Sequence, residues 1–140
     1  MTTVLSDVRY GVMVADSNIT DSHKVWKCRK VYRINGSLVG MAGNAEEFLP
    51  FLVWCRAGMQ EDPPKLRSLE ALILSAAGLQ HYSLSTLPMR IGCGRHAIGS
   101  GSMAALAAYE ALEFTDPKRA VKIACNHDAG SRGPVRVYKL

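Results

Sequence analysis

Residues 2–16 read TTVLSDVRYGVMVAD, and this stretch decides the fold. It starts at Thr2 and continues as an apolar, valine-rich segment from Thr3 to Ala15 that stops at Asp16. Because a turn signal near Gly11 interrupts the segment, it is predicted to form two strands joined by a turn. A β-hairpin over residues 3–15 is therefore predicted at the start of the fold.

Thr2 directly follows the initiator Met1. If Met1 is removed, Thr2 carries both a hydroxyl nucleophile and a free α-amine with a pKa of about 7.7–8.0, which can act as its base. Many chains begin with Met-Thr, so the pair has meaning only together with the segments that follow.

Length and composition indicate one globular domain over residues 1–140. The apolar fraction is 48% and the charged fraction 21%, which is ordinary for a soluble protein with its own core. No apolar run approaches the roughly 18–20 residues that span a bilayer, and the N-terminus lacks a signal core. We expect a cytoplasmic protein with no membrane partner.

The cysteines and histidines give no sign of a metal site. No C-x-x-C pair and no metal-spaced histidine pair occurs, and nothing marks a secreted disulfide framework. We therefore expect no metal, reduced thiols, and histidines that are structural or at the surface. The residues concerned are Cys28, Cys55, Cys93, Cys125, His23, His81, His96 and His127.

Two other features suggest binding of nucleic acids or nucleotides, but neither is accompanied by the motif that such binding needs. The net charge of +5 includes a basic cluster over residues 24–33, but no aromatic platform or nucleic-acid motif accompanies it. Gly99-Ser100-Gly101 precedes a predicted helix, yet lacks a Walker lysine and the full dinucleotide fingerprint. We expect no nucleic-acid partner and no cofactor.

The next segments predict a second hairpin and a helix. Asn35-Gly36 lies between two apolar runs, the favoured sequence for a two-residue hairpin turn. Asn44 followed by Glu47 is typical of a helix N-cap with its reciprocal glutamate, and helical spacing of apolar residues continues to Met59. Pro50 predicts a kink, or a helix that begins only there.

The second half of the chain is partly ambiguous. Three apolar stretches, 69–77, 79–84 and 88–93, fit either helix or strand. Beyond them, an alanine-rich helix is predicted over 102–113 and another from Asp116-Pro117 to about Cys125. A final strand is predicted over 134–140.

Four segments recur in the same order in a known family. They are GVMVADS (11–17), RKVYR (29–33), GMAGNA (40–45) and AIGSGS (97–102). On these, the chain resembles the proteasome β-type subunits and especially the HslV peptidases, threonine peptidases of the N-terminal-nucleophile hydrolase superfamily. The resemblance implies an α+β fold, the four-layer αββα sandwich. It also favours strands over 69–93, while the second long helix expected before Leu69 is missing, leaving the fold one helix short.

The resemblance assigns roles around Thr2 as the nucleophile. Asp16 and Lys30 match the family's strand-end aspartate and active-site lysine, and a nearby ammonium would favour the alkoxide and a neutral Thr2 amine. Gly43 is the candidate oxyanion donor, at a helix N-terminus where an N–H is free. Gly43 could equally serve only a tight turn.

Three further residues are implied near the threonine amine. Ser100, in preference to Ser102, would fix the amine or relay its proton. Asp128 and Ser131 match a proteasomal segment that supplies an aspartate and a serine, although a loop rich in Asp, Gly and Ser is also common in itself. Asn18 departs from the arginine or glutamine usual at its place, and the intervals from Thr2 to Asp16 to Lys30 are slightly short.

These observations favour a threonine-type endopeptidase subunit that cleaves peptides or unfolded proteins through an acyl-enzyme on Thr2. The resemblance further implies homo-oligomeric stacked rings and an ATP-dependent unfoldase partner. Two alternatives stay open: a catalytically silent, ring-forming scaffold that retains Met1, and an amidase acting on non-peptide amides.

Overall fold

The computed structural model describes residues 2–21, 24–84 and 87–140; Met1 and His23 lie outside this part. The strands are β1 (Val4–Asp7), β2 (Val12–Ala15), β3 (Asn18–Asp21), β4 (Lys24–Lys27), β5 (Val31–Ile34), β6 (Ser37–Ala42), β7 (Glu70–Ser75), β8 (Gly78–Tyr82), β9 (Met89–Arg90), β10 (Arg95–Ile98) and β11 (Arg136–Lys139). The helices are α1 (Phe48–Arg56), α2 (Ser102–Ala111) and α3 (Pro117–His127), with a 3₁₀ turn at Ala45–Glu47.

Two antiparallel sheets form the centre of the fold. The first has the strand order β10-β1-β2-β11 and the second β5-β6-β7-β8-β9, while β3 and β4 pair only with each other. The opening hairpin is confirmed, since Val4 pairs with Ala15 and Asp7 with Val12. The Asn35-Gly36 hairpin is confirmed by the pairing of Ile34 with Ser37.

Alternating side chains bury both faces of each sheet. One core cluster lies between the sheets and includes Val4, Met13, Leu38 and Leu72. A second cluster joins α1 to the outer face of the second sheet, and a third joins α2 and α3 to the outer face of the first. The four-layer αββα sandwich is therefore confirmed. No helix lies within residues 57–69, so α1 alone covers the second sheet in the part of the chain that the structure describes.

The start of α1 differs from expectation. Asn44 accepts the Glu46 N–H at 3.1 Å and caps the 3₁₀ turn, and α1 begins at Phe48, so the expected start at Pro50 is two residues late. Pro50 lies in the first helical turn, where its missing N–H costs nothing. The predicted reciprocal bond from Glu47 is wrong, because its carboxylate instead accepts backbone N–H groups of residues 67–69.

The ambiguous stretches over 69–93 are strands β7, β8 and β9, as the resemblance favoured. Two elements were not predicted: β10, which pairs with β1, and the β3–β4 hairpin. The predicted helices and the final strand are confirmed, with boundaries that differ by a few residues. None of the helices in the described ranges is long and apolar enough to cross a membrane.

Gly40 on β6 packs tightly against the first sheet. A Cβ at this position would lie 2.5 Å from Met13 Sδ and 2.8 Å from Val4 Cγ1, so a side chain would force these buried neighbours to move.

We expect Gly40→Ala to lower the free energy of unfolding by about 1–3 kcal/mol through overpacking. Gly92→Ala is the matched control, because a Cβ there meets nothing within 4 Å, and should change it by less than about 0.5 kcal/mol. Urea denaturation of both variants measures the difference. Equal effects would show that the sheet contact at Gly40 is not tight.

Candidate active site

Thr2 lies just before β1 and is almost fully buried, with 3% of its surface exposed. The loop after β10 holds its backbone: Thr2 N donates to Ser100 Oγ at 3.3 Å, and the Gly101 N–H donates to the Thr2 carbonyl at 3.4 Å. The pairing of β10 with β1 brings this loop beside the chain start, although about 100 residues separate the two in sequence. Thr2 is therefore held in a defined position.

Asp16 and Lys30 form a buried ion pair at the ends of two strands from different sheets. Asp16 follows β2, Lys30 precedes β5, and the Lys30 ammonium lies 2.9 and 2.8 Å from the two carboxylate oxygens. The carboxylate also accepts the Thr3 N–H at 2.9 Å and the Arg132 N–H at 3.2 Å. Because Lys30 Nζ and Thr3 N share one oxygen of Asp16, the cation is held close to the Thr2–Thr3 backbone.

Burial governs the electrostatics of Lys30. Desolvation lowers the pKa of the Lys30 ammonium below its ordinary value, and the charge and hydrogen bond of Asp16 oppose that shift. The side chains of both partners are fully shielded from solvent, so their attraction is screened little by water.

A second polar network approaches the same two threonines from the other side. Ser100 Oγ donates to Asp128 Oδ2 at 2.6 Å, and Ser131 Oγ also donates to Asp128. The Ser131 hydroxyl in turn lies 2.7 Å from Thr3 Oγ1. A continuous hydrogen-bonded chain thus runs from Thr2 N through Ser100, Asp128 and Ser131 to the Thr3 side chain.

Asp128 is the anion of this network. Burial raises the pKa of Asp128, but the hydrogen bonds it accepts from Ser100, Ser131 and the Gly130 N–H outweigh burial and hold the pKa below its ordinary value. The carboxylate is consequently ionised at neutral pH, and the two hydroxyl groups are oriented as its donors.

Gly43 lies at the turn between β6 and the 3₁₀ turn. Its φ of +106° and a virtual Cβ only 2.1 Å from the Ser68 carbonyl oxygen leave room for glycine alone. Among the described residues its N–H has no hydrogen-bond partner. Two residues earlier, the Met41 N–H donates to the Lys30 carbonyl at 2.9 Å, which places this end of β6 beside the ion pair.

The structure joins six of the seven predicted site residues through hydrogen bonds: Thr2, Asp16, Lys30, Ser100, Asp128 and Ser131. Gly43 lies near them without a bond to the network. Thr3, Glu70 and Arg132 were not predicted. The Thr3 N–H donates to Asp16, and the Thr3 hydroxyl is hydrogen-bonded to Ser131. The Arg132 N–H donates to Asp16, and Glu70 accepts the Gly99 N–H at 3.1 Å. A backbone N–H gives no sequence signal, so these partners could be found only in three dimensions.

Asn18, the departure noted in the sequence, packs against Gly133. A Cβ on Gly133 would lie 2.4 Å from Asn18 Oδ1, so this contact requires a glycine. Within the described residues, no three His, Cys, Asp or Glu side chains are placed to hold a metal ion.

Stacked antiparallel sheets between helical layers, with a threonine ahead of the first strand, define the protein as one with the N-terminal-nucleophile hydrolase fold of the HslV and proteasome β-subunit type. HslV from Trypanosoma brucei is similar over 98% of both chains, with a TM-score of 0.79 and 22% sequence identity. BPH from Thiobacillus denitrificans is similar over 99% of this chain and 96% of its own, with a TM-score of 0.73 and 18% identity. BPH in complex with epoxomicin gives a TM-score of 0.71 at 16% identity, over 99% and 97%. No protein-family model and no curated protein matches the chain.

Breaking the buried ion pair from one side should be costly. We expect Lys30→Met to lower the free energy of unfolding by about 3–5 kcal/mol, because the Asp16 carboxylate loses its cation while buried. The double variant Asp16→Asn/Lys30→Met removes both charges and should lose less than Lys30→Met alone.

Denaturant unfolding of Lys30→Met, Asp16→Asn and the double variant tests this coupling. Lys27→Met, on the exposed strand β4, is the control and should have an effect within about 0.5 kcal/mol. A double variant as unstable as the sum of the two single variants would contradict the buried pairing.

Proposed function

We propose that the protein is a threonine-type endopeptidase subunit that hydrolyses peptides through an acyl-enzyme on Thr2, after removal of Met1. The observation that carries the proposal is the convergence of two polar networks on Thr2 and Thr3, one of them a fully buried ion pair. In one network, Asp16 accepts hydrogen bonds from both the Lys30 ammonium and Thr3 N. In the other, the Ser100 hydroxyl accepts a hydrogen bond from Thr2 N. A structural threonine has no need of both.

Acylation follows from these positions. The Thr2 hydroxyl attacks the scissile carbonyl carbon and passes its proton to the Thr2 α-amine, which is kept mostly neutral by the nearby Lys30 ammonium. The Gly43 N–H donates to the oxyanion that forms on the carbonyl oxygen. The tetrahedral intermediate then collapses, the C–N bond breaks, and the protonated amine delivers its proton to the leaving nitrogen.

Deacylation uses the same groups in reverse. The Thr2 amine takes a proton from a water molecule as that water attacks the ester carbon. The ester C–O bond then breaks, the protonated amine returns the proton to the Thr2 oxygen, and the carboxylate product is released. Ser100, fixed by Asp128, holds the amine in one orientation through both steps. Asp16 keeps Lys30 in place and does not exchange protons with the substrate.

Assembly and regulation form a second part of the proposal. The protein would act in the cytoplasm as homo-oligomeric stacked rings, fed by an ATP-dependent unfoldase, because an open groove would expose other proteins to cleavage. Exposed apolar side chains on one face of α1, Leu49 and Val53, and on β4, Val25 and Trp26, support burial against other subunits.

The decisive experiment measures the intact mass and the peptidase activity of the untagged protein, with and without epoxomicin or a peptide vinyl sulfone. We expect a mass lacking Met1 that gains one inhibitor per chain. Thr2→Ala should lose peptide hydrolysis by more than about a thousandfold, while the conservative Thr2→Ser retains measurable turnover.

Other outcomes separate the alternatives. A retained Met1 with no adduct favours a silent scaffold, because an acylated amine cannot act as a base. An adduct with cleavage of small amides but not of peptides favours an amidase. Unchanged peptide turnover in Thr2→Ala would remove Thr2 from the mechanism.

The fall in activity at alkaline pH should follow the deprotonation of Lys30. The mechanism needs the ammonium form, and the pKa of buried Lys30 lies below its ordinary value of 10.5. Lys30 therefore loses its proton at a lower pH than an exposed lysine does. We expect kcat/KM to start to fall below pH 10.5, while circular dichroism shows that the fold stays intact. A profile that stays flat up to the ordinary lysine range would contradict a role for the Lys30 charge.

A further inference from the structure

Glu70 makes a polar contact between the two sheets next to the site. It is the first residue of β7 in the second sheet, and its Oε2 accepts the N–H of Gly99, which follows β10 in the first sheet, at 3.1 Å. No step of the proposed reaction uses this carboxylate. Its partner, however, directly precedes Ser100.

Gly99 is tightly confined. Its φ is +89°, and a Cβ would lie 2.1 Å from the Thr2 carbonyl oxygen and 3.2 Å from Ala42 Cβ. The peptide plane of Gly99 thus lies between the chain start and the end of β6. Whatever fixes its N–H also fixes the neighbouring Ser100, whose hydroxyl is 3.3 Å from Thr2 N.

The surroundings of Glu70 contain two imidazoles, His81 on β8 and His96 on β10, with ring centroids 4.9 Å apart. Burial lowers the pKa of both rings, and the negative charge of Glu70 opposes that shift. Both ring nitrogens of His81 are shielded from solvent and have no hydrogen-bond partner among the described residues. The Gly99 N–H is therefore the donor that orients Glu70.

We propose that Glu70 is a positioning residue for the reaction, acting through the Gly99 N–H to hold Ser100 against the Thr2 amine. This inference rests on the proposed function for its kinetic consequence, but the hydrogen bond itself does not. Without the carboxylate, the Gly99–Gly101 loop loses its only tie to the second sheet among the hydrogen bonds of the described residues. Ser100 keeps its bond to Asp128, but the peptide that precedes it is no longer fixed, so the distance from its hydroxyl to Thr2 N is held less tightly.

The test compares Glu70→Ala, Glu70→Gln and the control His81→Ala. His81 lies in the same partly buried group, and its ring has no hydrogen bond among the described residues, so its loss removes packing beside Glu70 without removing a hydrogen bond to the loop. Glu70→Ala should lower kcat by about ten- to a hundredfold with KM within about twofold, because the substrate is not contacted. Glu70→Gln keeps a carbonyl oxygen that can accept the Gly99 N–H and should recover most of kcat. His81→Ala should keep the wild-type kcat.

Amide hydrogen exchange of the peptide containing residues 99–101 gives a readout that needs no activity. Exchange should accelerate at least about tenfold in Glu70→Ala and stay near wild type in Glu70→Gln and His81→Ala. The proposal would be overturned if Glu70→Ala left both kcat and the exchange rate unchanged, or if His81→Ala lowered kcat and accelerated exchange as much as Glu70→Ala does. If the wild-type protein hydrolyses nothing, the proposed function fails, while the exchange data still decide whether Glu70 holds the loop.

Discussion

The site depends on the buried ion pair between Asp16 and Lys30. Removing two charges from water costs several kcal/mol per ion, and attraction alone rarely repays that cost. Asp16 is stabilised because it also accepts the Thr3 and Arg132 N–H groups, from opposite ends of the chain. The carboxylate is fully satisfied only when the first strand, the entry to β5 and the segment before β11 have all come together. The constellation around Thr2 is therefore a property of the completed fold and of no shorter segment.

The two networks have opposite electrostatic effects on Thr2. The Lys30 cation favours a neutral amine and an alkoxide, whereas the Asp128 anion, which acts through Ser100, favours a protonated amine. Lys30 is buried, so water screens its charge only weakly. The charge of the Asp128 carboxylate is partly offset by the three hydrogen bonds that it accepts. The proposed mechanism needs an amine that first accepts a proton and then returns it, and two opposed influences of this kind suit that role.

How far the sequence predicted this structure depended on the range of the interactions. The hairpin at Asn35-Gly36 follows from local turn chemistry, and the candidate site residues were proposed from the order of short motifs. The stretches over 69–93 stayed ambiguous because short apolar runs fit a buried strand and a helix equally well, and only pairing with β6 decides. Glu47 was assigned to a local cap and Glu70 was given no role, because each carboxylate binds N–H groups more than 19 residues away, a partnership that no local pattern encodes.

The missing second helix raises the question of what supports the Gly43 side of the site. Residues 57–69 form an irregular connection, and Glu47 anchors its end, since Glu47 Oε2 lies 3.1 Å from both Arg67 N and Leu69 N. Leu69 is fully buried there, and the Ser68 carbonyl presses against Gly43 so closely that no Cβ fits. One carboxylate that accepts several backbone N–H groups is a strong, charge-assisted anchor. The contact that constrains Gly43 thus comes from the last three residues of the connection and not from a helix. The turn on which the candidate oxyanion donor lies is held in its conformation although residues 57–69 contain no helix.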